Sequence, residues 1–196
     1  MSAFAAVLAL AAAAAWIATK GVRPVIRLYL RFACVLYAAL AASVLLRVAP
    51  HAVAVMVATL AVALLTLAAF AGLRRTPKPG FAAMLLAGAC AAGIWSAATG
   101  MIALAVVPQA VCLVAVLTIA HRAPLRRPGL HLVLGAGALF AASCSLLAGD
   151  SCAFIALLLF SAAGLLGVVL ALARASEILI DQQRAGSVGP AVRRVR

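Results

Sequence analysis

Apolar and polar positions do not alternate along most of this chain. Apolar residues run almost unbroken for 18 or more positions at a time. A helix in a soluble domain needs one polar face to meet water. These runs have none, so they predict helices whose whole circumference meets lipid or another helix. Seven spans are expected, at 2–19, 28–46, 52–73, 81–98, 101–120, 130–148 and 151–172. At 1.5 Å per residue each reaches roughly 27–33 Å, enough for a hydrocarbon core of about 30 Å. Two apolar stretches are too long for a single crossing and divide at Thr99-Gly100 and Gly149-Asp150. Pro24, Pro50, the Thr76–Gly80 run, Pro124 and Pro128 sit where helices should stop.

The expected fold is therefore all-α. It is a polytopic membrane protein with one seven-helix transmembrane domain over residues 1–184. Span seven should continue as a helix through 173–184, and residues 185–196 read as a basic, disordered cytoplasmic tail. Composition agrees, with 68% of residues hydrophobic and a mean hydropathy of +1.26. Soluble domains are nearer half apolar. The opening MSAFAAVLAL has no positive region before its apolar core, so it reads as a span and not as a cleaved signal.

Charge sets the orientation. The formal net charge is +13, from 16 basic and 3 acidic residues. Lys20, Arg23, Arg27 and Arg31 lie between or beside spans one and two, and Arg74, Arg75 and Lys78 between three and four. Arg122, Arg126 and Arg127 lie between five and six. Arg174, Arg184, Arg193, Arg194 and Arg196 follow span seven, and Arg47 alone falls on the opposite side. The positive-inside rule then predicts an outside N-terminus and a cytoplasmic C-terminus. Arg31, just inside span two, can snorkel to the surface, with Tyr29 at the same depth. The basic residues form no continuous stripe and have no interleaved aromatic rings, so nucleic acid is excluded as a partner. Anionic lipids at the basic loops and tail are expected instead.

No Asp, Glu or Lys is expected at mid-depth. Such residues mark ion pathways, proton relays and catalytic sites in membranes, so a pump or a carboxylate hydrolase is disfavoured. The histidines are not placed to pair as haem ligands, span seven lacks a lysine for retinal, and no phosphate loop, Ser–His–Asp set or zinc-spaced cysteines appear. No cofactor is expected. Small residues four apart, Ala11 with Ala15, Gly88 with Ala92, Ala89 with Gly93 and Gly137 with Ala141, suit close helix packing. The expected reading is tight packing within one bundle, with a homo-oligomer or a membrane partner as the alternative.

Two polar inserts stand out. Pro108-Gln109 falls in span five. Proline frees a backbone carbonyl there, and a glutamine amide in lipid needs partners. It marks either a kink with an interhelical hydrogen bond or a hinge or ligand site, to which Trp95, Ser96 and Thr99 could contribute. The second is SCSLLAGDSC, 143–152, read as the outer turn between spans six and seven, with Asp150 capping the next helix. Cys144 and Cys152 are the candidate outer-face disulfide. His51 and Asp150 with the same two cysteines form a remoter metal set, nitrogen, oxygen and sulfur at one surface.

The segment VVPQAV, 106–111, resembles the proline-glutamine motif of PQ-loop transporters, which include the SWEET sugar carriers. That resemblance implies seven spans built as three, a linker and three more, with the N-terminus outside. A shift of 99 residues lays spans five to seven over one to three without a gap, placing Arg122 and Arg126 on Arg23 and Arg27. Ala9-Leu10 stands where the first repeat would carry its own proline-glutamine, and span seven lacks the family's asparagine. GALFAASCSLLA, 137–148, is similar to a signature of lysoplasmalogenase-like membrane hydrolases, with Cys144 where an aspartate would follow the serine.

The expected function is that of a non-catalytic integral protein of a plasma membrane, a bacterial inner membrane by its alanine-rich design. It would act as a sensor-like module or as an accessory subunit. The alternative is a small-solute carrier of the three-plus-one-plus-three type, and the third reading is a degenerate membrane lipid hydrolase.

Overall fold

A computed structural model describes the backbone of residues 2–46, 50–73, 78–101, 103–122, 126–148 and 151–192. Side chains are described over 2–46, 54–72, 78–101, 103–118, 129–145, 147, 152–178 and 180. Among these residues the chain forms seven α-helices: α1 (Ser2–Ala18), α2 (Pro24–Leu45), α3 (Pro50–Leu73), α4 (Pro79–Thr99), α5 (Ala103–Arg122), α6 (Arg126–Ala148) and α7 (Ser151–Val192). A short 3₁₀ turn, Thr19–Gly21, extends α1.

The helices start where the prolines are. Pro24 and Pro79 occupy the first turns of α2 and α4, and Pro50 opens α3. Proline lacks an N–H that the first turn would leave unpaired anyway, and its φ already suits a helix. The sequence reads these prolines as stops, but they are starts. The turn between α4 and α5 is made by Gly100, the one described glycine with a left-handed backbone, at φ 72°. Its N–H closes onto the Ser96 carbonyl. Helix α7 continues past Gly186 to Val192, beyond the point where a tail is expected to begin. Glycine weakens a helix without blocking it, and Pro190 falls only in its last turn.

Five helical segments are long and apolar enough to cross a membrane: Ser2–Gly21, Pro24–Leu45, Ala54–Gly72, Pro79–Thr99 and Cys152–Ile178. Shorter apolar segments, Ala103–Thr118 and Gly129–Ser145, lie in α5 and α6. Large apolar side chains face outward around the bundle, among them Leu10, Phe32, Met84, Val107, Val111 and Leu134. Water would penalise such a surface and lipid does not. This is the build of a helical membrane protein.

The packing follows a two-fold pattern. Helix α1 packs on α2 as α5 packs on α6, and α2 packs on α3 as α6 packs on α7. Helix α1 then lies against α7 as α5 lies against α3, and α3 and α7 meet each other. Exchanging α1–α3 with α5–α7 preserves every one of these neighbours. Helix α4 is outside this scheme; among the described residues it packs only on α3 and α5. The most apolar window of α3 is 83% buried and that of α4 only 22%, which makes α3 central and α4 peripheral.

Glycines set the closest approaches. A Cβ on Gly135 of α6 would lie 2.8 Å from the Val168 nitrogen, and one on Gly167 of α7 would lie 2.8 Å from the Gly135 Cα. Backbone therefore touches backbone where α6 crosses α7. On α4, Ala89 and Gly93 are buried, and Gly93 faces Met56 of α3 as the small-residue spacing suggests. Gly88 and Gly137 face open space instead, so neither makes a close contact within this bundle. The sequence did not single out Gly135, Gly164 or Gly167.

Candidate functional site

Helix α5 carries both residues of the proline-glutamine pair. Pro108 has no N–H to offer the carbonyl of Leu104, one turn earlier, so the ladder is broken on that side. Gln109, next along, points inward and is 1% exposed. An amide there must find its partners within the protein.

It finds them on two other helices. Gln109 Nε2 donates to Thr59 Oγ1 on α3 at 2.8 Å, and the Thr59 hydroxyl donates to the Val55 carbonyl at 2.8 Å. Gln109 Oε1 accepts from the Ser143 hydroxyl on α6. Ser143 Oγ also lies 2.9 Å from the Leu139 carbonyl, and its single proton serves one acceptor at a time. The three side chains therefore tie α3, α5 and α6 together. No described buried side-chain N or O lacks a partner. A primary amide has two N–H donors, and only one of those on Gln109 is used within the described residues.

A cavity of about 260 Å³ opens beside this amide, between α3, α4 and α5. Thr59, Gln109, Pro108 and Cys112 line its inner side, and Met84 and Gly88 belong to its α4 wall. Met84 is 78% exposed, so this flank of the cavity is open to the surroundings of the bundle. Apart from Gln109 and Thr59 the wall is apolar. Gly88 of α4 and Pro108 of α5 both line the cavity, and a Cβ on Gly88 would meet nothing within 4 Å.

The two-fold pattern places a second polar pair opposite. Tyr37 of α2 is 1% exposed and its hydroxyl meets Ser161 of α7. Thr59 and Ser161 sit at matching levels of α3 and α7, nine and ten residues from the helix starts. The Tyr37–Ser161 pair joins α2 to α7.

No protein-family model, no curated protein and no solved structure matches this chain.

The remaining candidates separate from the cavity. Ser96 is buried, and its hydroxyl donates to the Met101 carbonyl at 3.0 Å. Thr99 donates to the Trp95 carbonyl at 2.8 Å and accepts from the Met101 N–H at 3.3 Å. Both hold the α4–α5 turn, and Trp95 is exposed. None of the three lines the cavity. Cys144 and Cys152 are both exposed, and each is a free thiol in this structure. The side chains of His51 and Asp150 lie outside the described residues, and no metal-binding group of three occurs among the described ones.

Sequence reasoning found Gln109 and Pro108 but missed Thr59, Ser143 and the α4 wall. Thr59 is one of two hydroxyls, with Thr66, in a long apolar span. Its partner was fifty positions away, and no helical period links the two.

Proposed function

We propose that this chain is a non-catalytic membrane protein, a sensor-like module or accessory subunit, that holds a small, mostly apolar molecule in the α3–α4–α5 cavity. The observation that carries the reading is Gln109. It is a buried amide in the wall of an apolar cavity, bonded through its nitrogen to Thr59 and through its oxygen to Ser143, with one N–H donor left over within the described residues. Ligand sites are typically apolar clefts with a few placed polar groups. A dry cavity of about 150 Å³ takes a benzene ring, so this one suits a molecule on the order of ten heavy atoms. The matching chemistry is a short alkyl or ring compound bearing one hydrogen-bond acceptor. Such a molecule reaches the cavity from the lipid side, past Met84.

The charge partition supports a chain with its N-terminus outside and its C-terminus in the cytoplasm of a bacterial inner membrane. The long α7 then projects its basic end into the cytoplasm, where a partner protein would read the bound state. The absence of mid-depth carboxylates from the sequence supports a binding role over a hydrolytic one.

A second reading, a carrier, draws support from the two-fold pairing of α1–α3 with α5–α7 and from the PQ-loop resemblance. One experiment separates the two. The purified protein in nanodiscs is titrated with six- to ten-carbon ketones, ethers and alcohols, and the same compounds are offered to sealed vesicles bearing it. Saturable binding that weakens at least tenfold in Gln109→Ala, without protein-dependent uptake, is the expected result. Protein-dependent uptake would establish the carrier, and no saturable binding of any compound would remove the cavity from function.

A further inference from the structure

The first hairpin carries a second feature, on the lipid-facing side of α1 and α2. Trp16 and Arg31 meet there, with the guanidinium carbon 4.7 Å from the indole centroid. Stacking on the ring holds the planar cation flat. Arg31 Nε donates to Thr19 Oγ1 at 3.4 Å, and the buried Thr19 is itself anchored to the Trp16 carbonyl at 2.7 Å. The two terminal nitrogens of Arg31 make no hydrogen bond within the described residues.

Arg27 is different. Two of its three guanidinium nitrogens hold the turn, with Nη2 donating to the Lys20 and Val22 carbonyls at 2.8 Å each and Nε to Val22 at 3.2 Å. Arg27 caps the turn, whereas Arg31 is fixed in place with donors to spare. Lys20 and Arg23, both exposed, add to the positive field, and no described carboxylate pairs with any of the four.

The Trp16 ring also forms one end of an apolar groove of about 180 Å³ between α1 and α2. Ala9, Ala12, Ala13, Val35 and Ala38 line it. From Trp16 to Ala9 it runs about 10 Å along α1. The alanines make the groove, because larger side chains there would fill the seam. One indole thus serves as the platform for an unspent cation and as the mouth of an acyl-sized channel.

We propose that this groove binds one anionic phospholipid, its phosphate on the Arg31 fork and the upper part of one acyl chain across Trp16 into the alanine seam. Guanidinium matches phosphate by two parallel hydrogen bonds. A zwitterionic lipid brings the same chain, but its own cation opposes the local field.

The test uses Trp16 as reporter. Trp95→Phe leaves it the one tryptophan, since the chain has two. This protein is reconstituted in phosphatidylcholine bilayers containing a small fraction of acyl-brominated lipid, with either a phosphatidylglycerol or a phosphatidylcholine headgroup. Brominated phosphatidylglycerol is expected to quench at least threefold more per mole. Arg31→Gln should bring the two lipids level, and Ala13→Leu should cut the phosphatidylglycerol quenching by filling the groove. Arg23→Gln, a nearby exposed charge, should keep the preference. Equal quenching by both lipids with Arg31 in place would overturn the proposal. An equal loss in Arg23→Gln and Arg31→Gln would do so too, since it would mean diffuse surface attraction.

Discussion

The Gln109 amide nitrogen on α5 lies 2.8 Å from the Thr59 hydroxyl oxygen on α3, near the middle of the bundle. Each hydroxyl around this amide keeps a backbone acceptor, Val55 for Thr59 and Leu139 for Ser143. Removing the glutamine therefore strands neither of them. Gln109→Leu should cost only about 0.5–1.5 kcal/mol, the range of interhelical hydrogen bonds in membranes. A Gln109→Leu/Ser143→Ala double-mutant cycle, read by unfolding in mixed micelles, should show a coupling of about 0.5 kcal/mol or more. Strict additivity would mean that the three helices are held without this network.

Gly88 tests the cavity apart from the fold. A Cβ there meets nothing within 4 Å, although the residue lines the cavity. Gly88→Leu should fill the space and abolish ligand binding, while stability stays within about 1 kcal/mol of the parent or improves, because glycine is a poor helix former. Retained affinity in this variant would place the ligand elsewhere.

The α6–α7 crossing should be the least tolerant place in the molecule. Gly135→Val and Gly167→Val drive side chains into backbone at distances under 3 Å and should destabilise by about 2–3 kcal/mol or prevent assembly. Gly137→Val, two residues along α6 but facing open space, should be near neutral. Similar thermal stability for all three variants would show that the crossing is not glycine-dependent.

The cysteine pair gives a chemical check. Cys144 and Cys152 are exposed and unbonded. With Cys34, Cys90 and Cys112 changed to alanine, the detergent-solubilised chain should take up two maleimides without prior reduction. Uptake of none until a reductant is added would reveal a disulfide.

Orientation is open to a direct measurement. A reporter fused after Arg196 should be active in the cytoplasm, and one inserted near Arg47 should be active outside. The reverse pattern would invert every assignment of inner and outer face, including the side on which the Arg31 site meets lipid.

How much was legible in advance differs from residue to residue. The helices were readable because lipid demands an apolar circumference, and their starts at Pro24, Pro50 and Pro79 fall within four residues of the expected spans. Gln109 was readable as a candidate because an amide in an apolar span is costly unless paired. The hydroxyls of Ser96 and Thr99 are satisfied within their own turn, which a list of polar residues does not reveal. Gly137 faces open space within the bundle, because a small residue permits close approach without requiring it. Gly135 does the packing two residues earlier, facing α7.

The amino-acid order alone determined that this protein is a set of apolar helices and, to within four residues, where each begins. Those are properties of one helix and its solvent, written in consecutive residues. The tertiary structure decided which faces meet. It made α3 central and α4 peripheral, brought Thr59 and Ser143 to Gln109, opened a cavity beside Gly88, and set Arg31 over Trp16 at the head of a groove. When every face of a helix is apolar, hydrophobicity no longer says which face turns inward. Shape and a few hydrogen bonds settle that choice, and both exist only once the neighbours are in place.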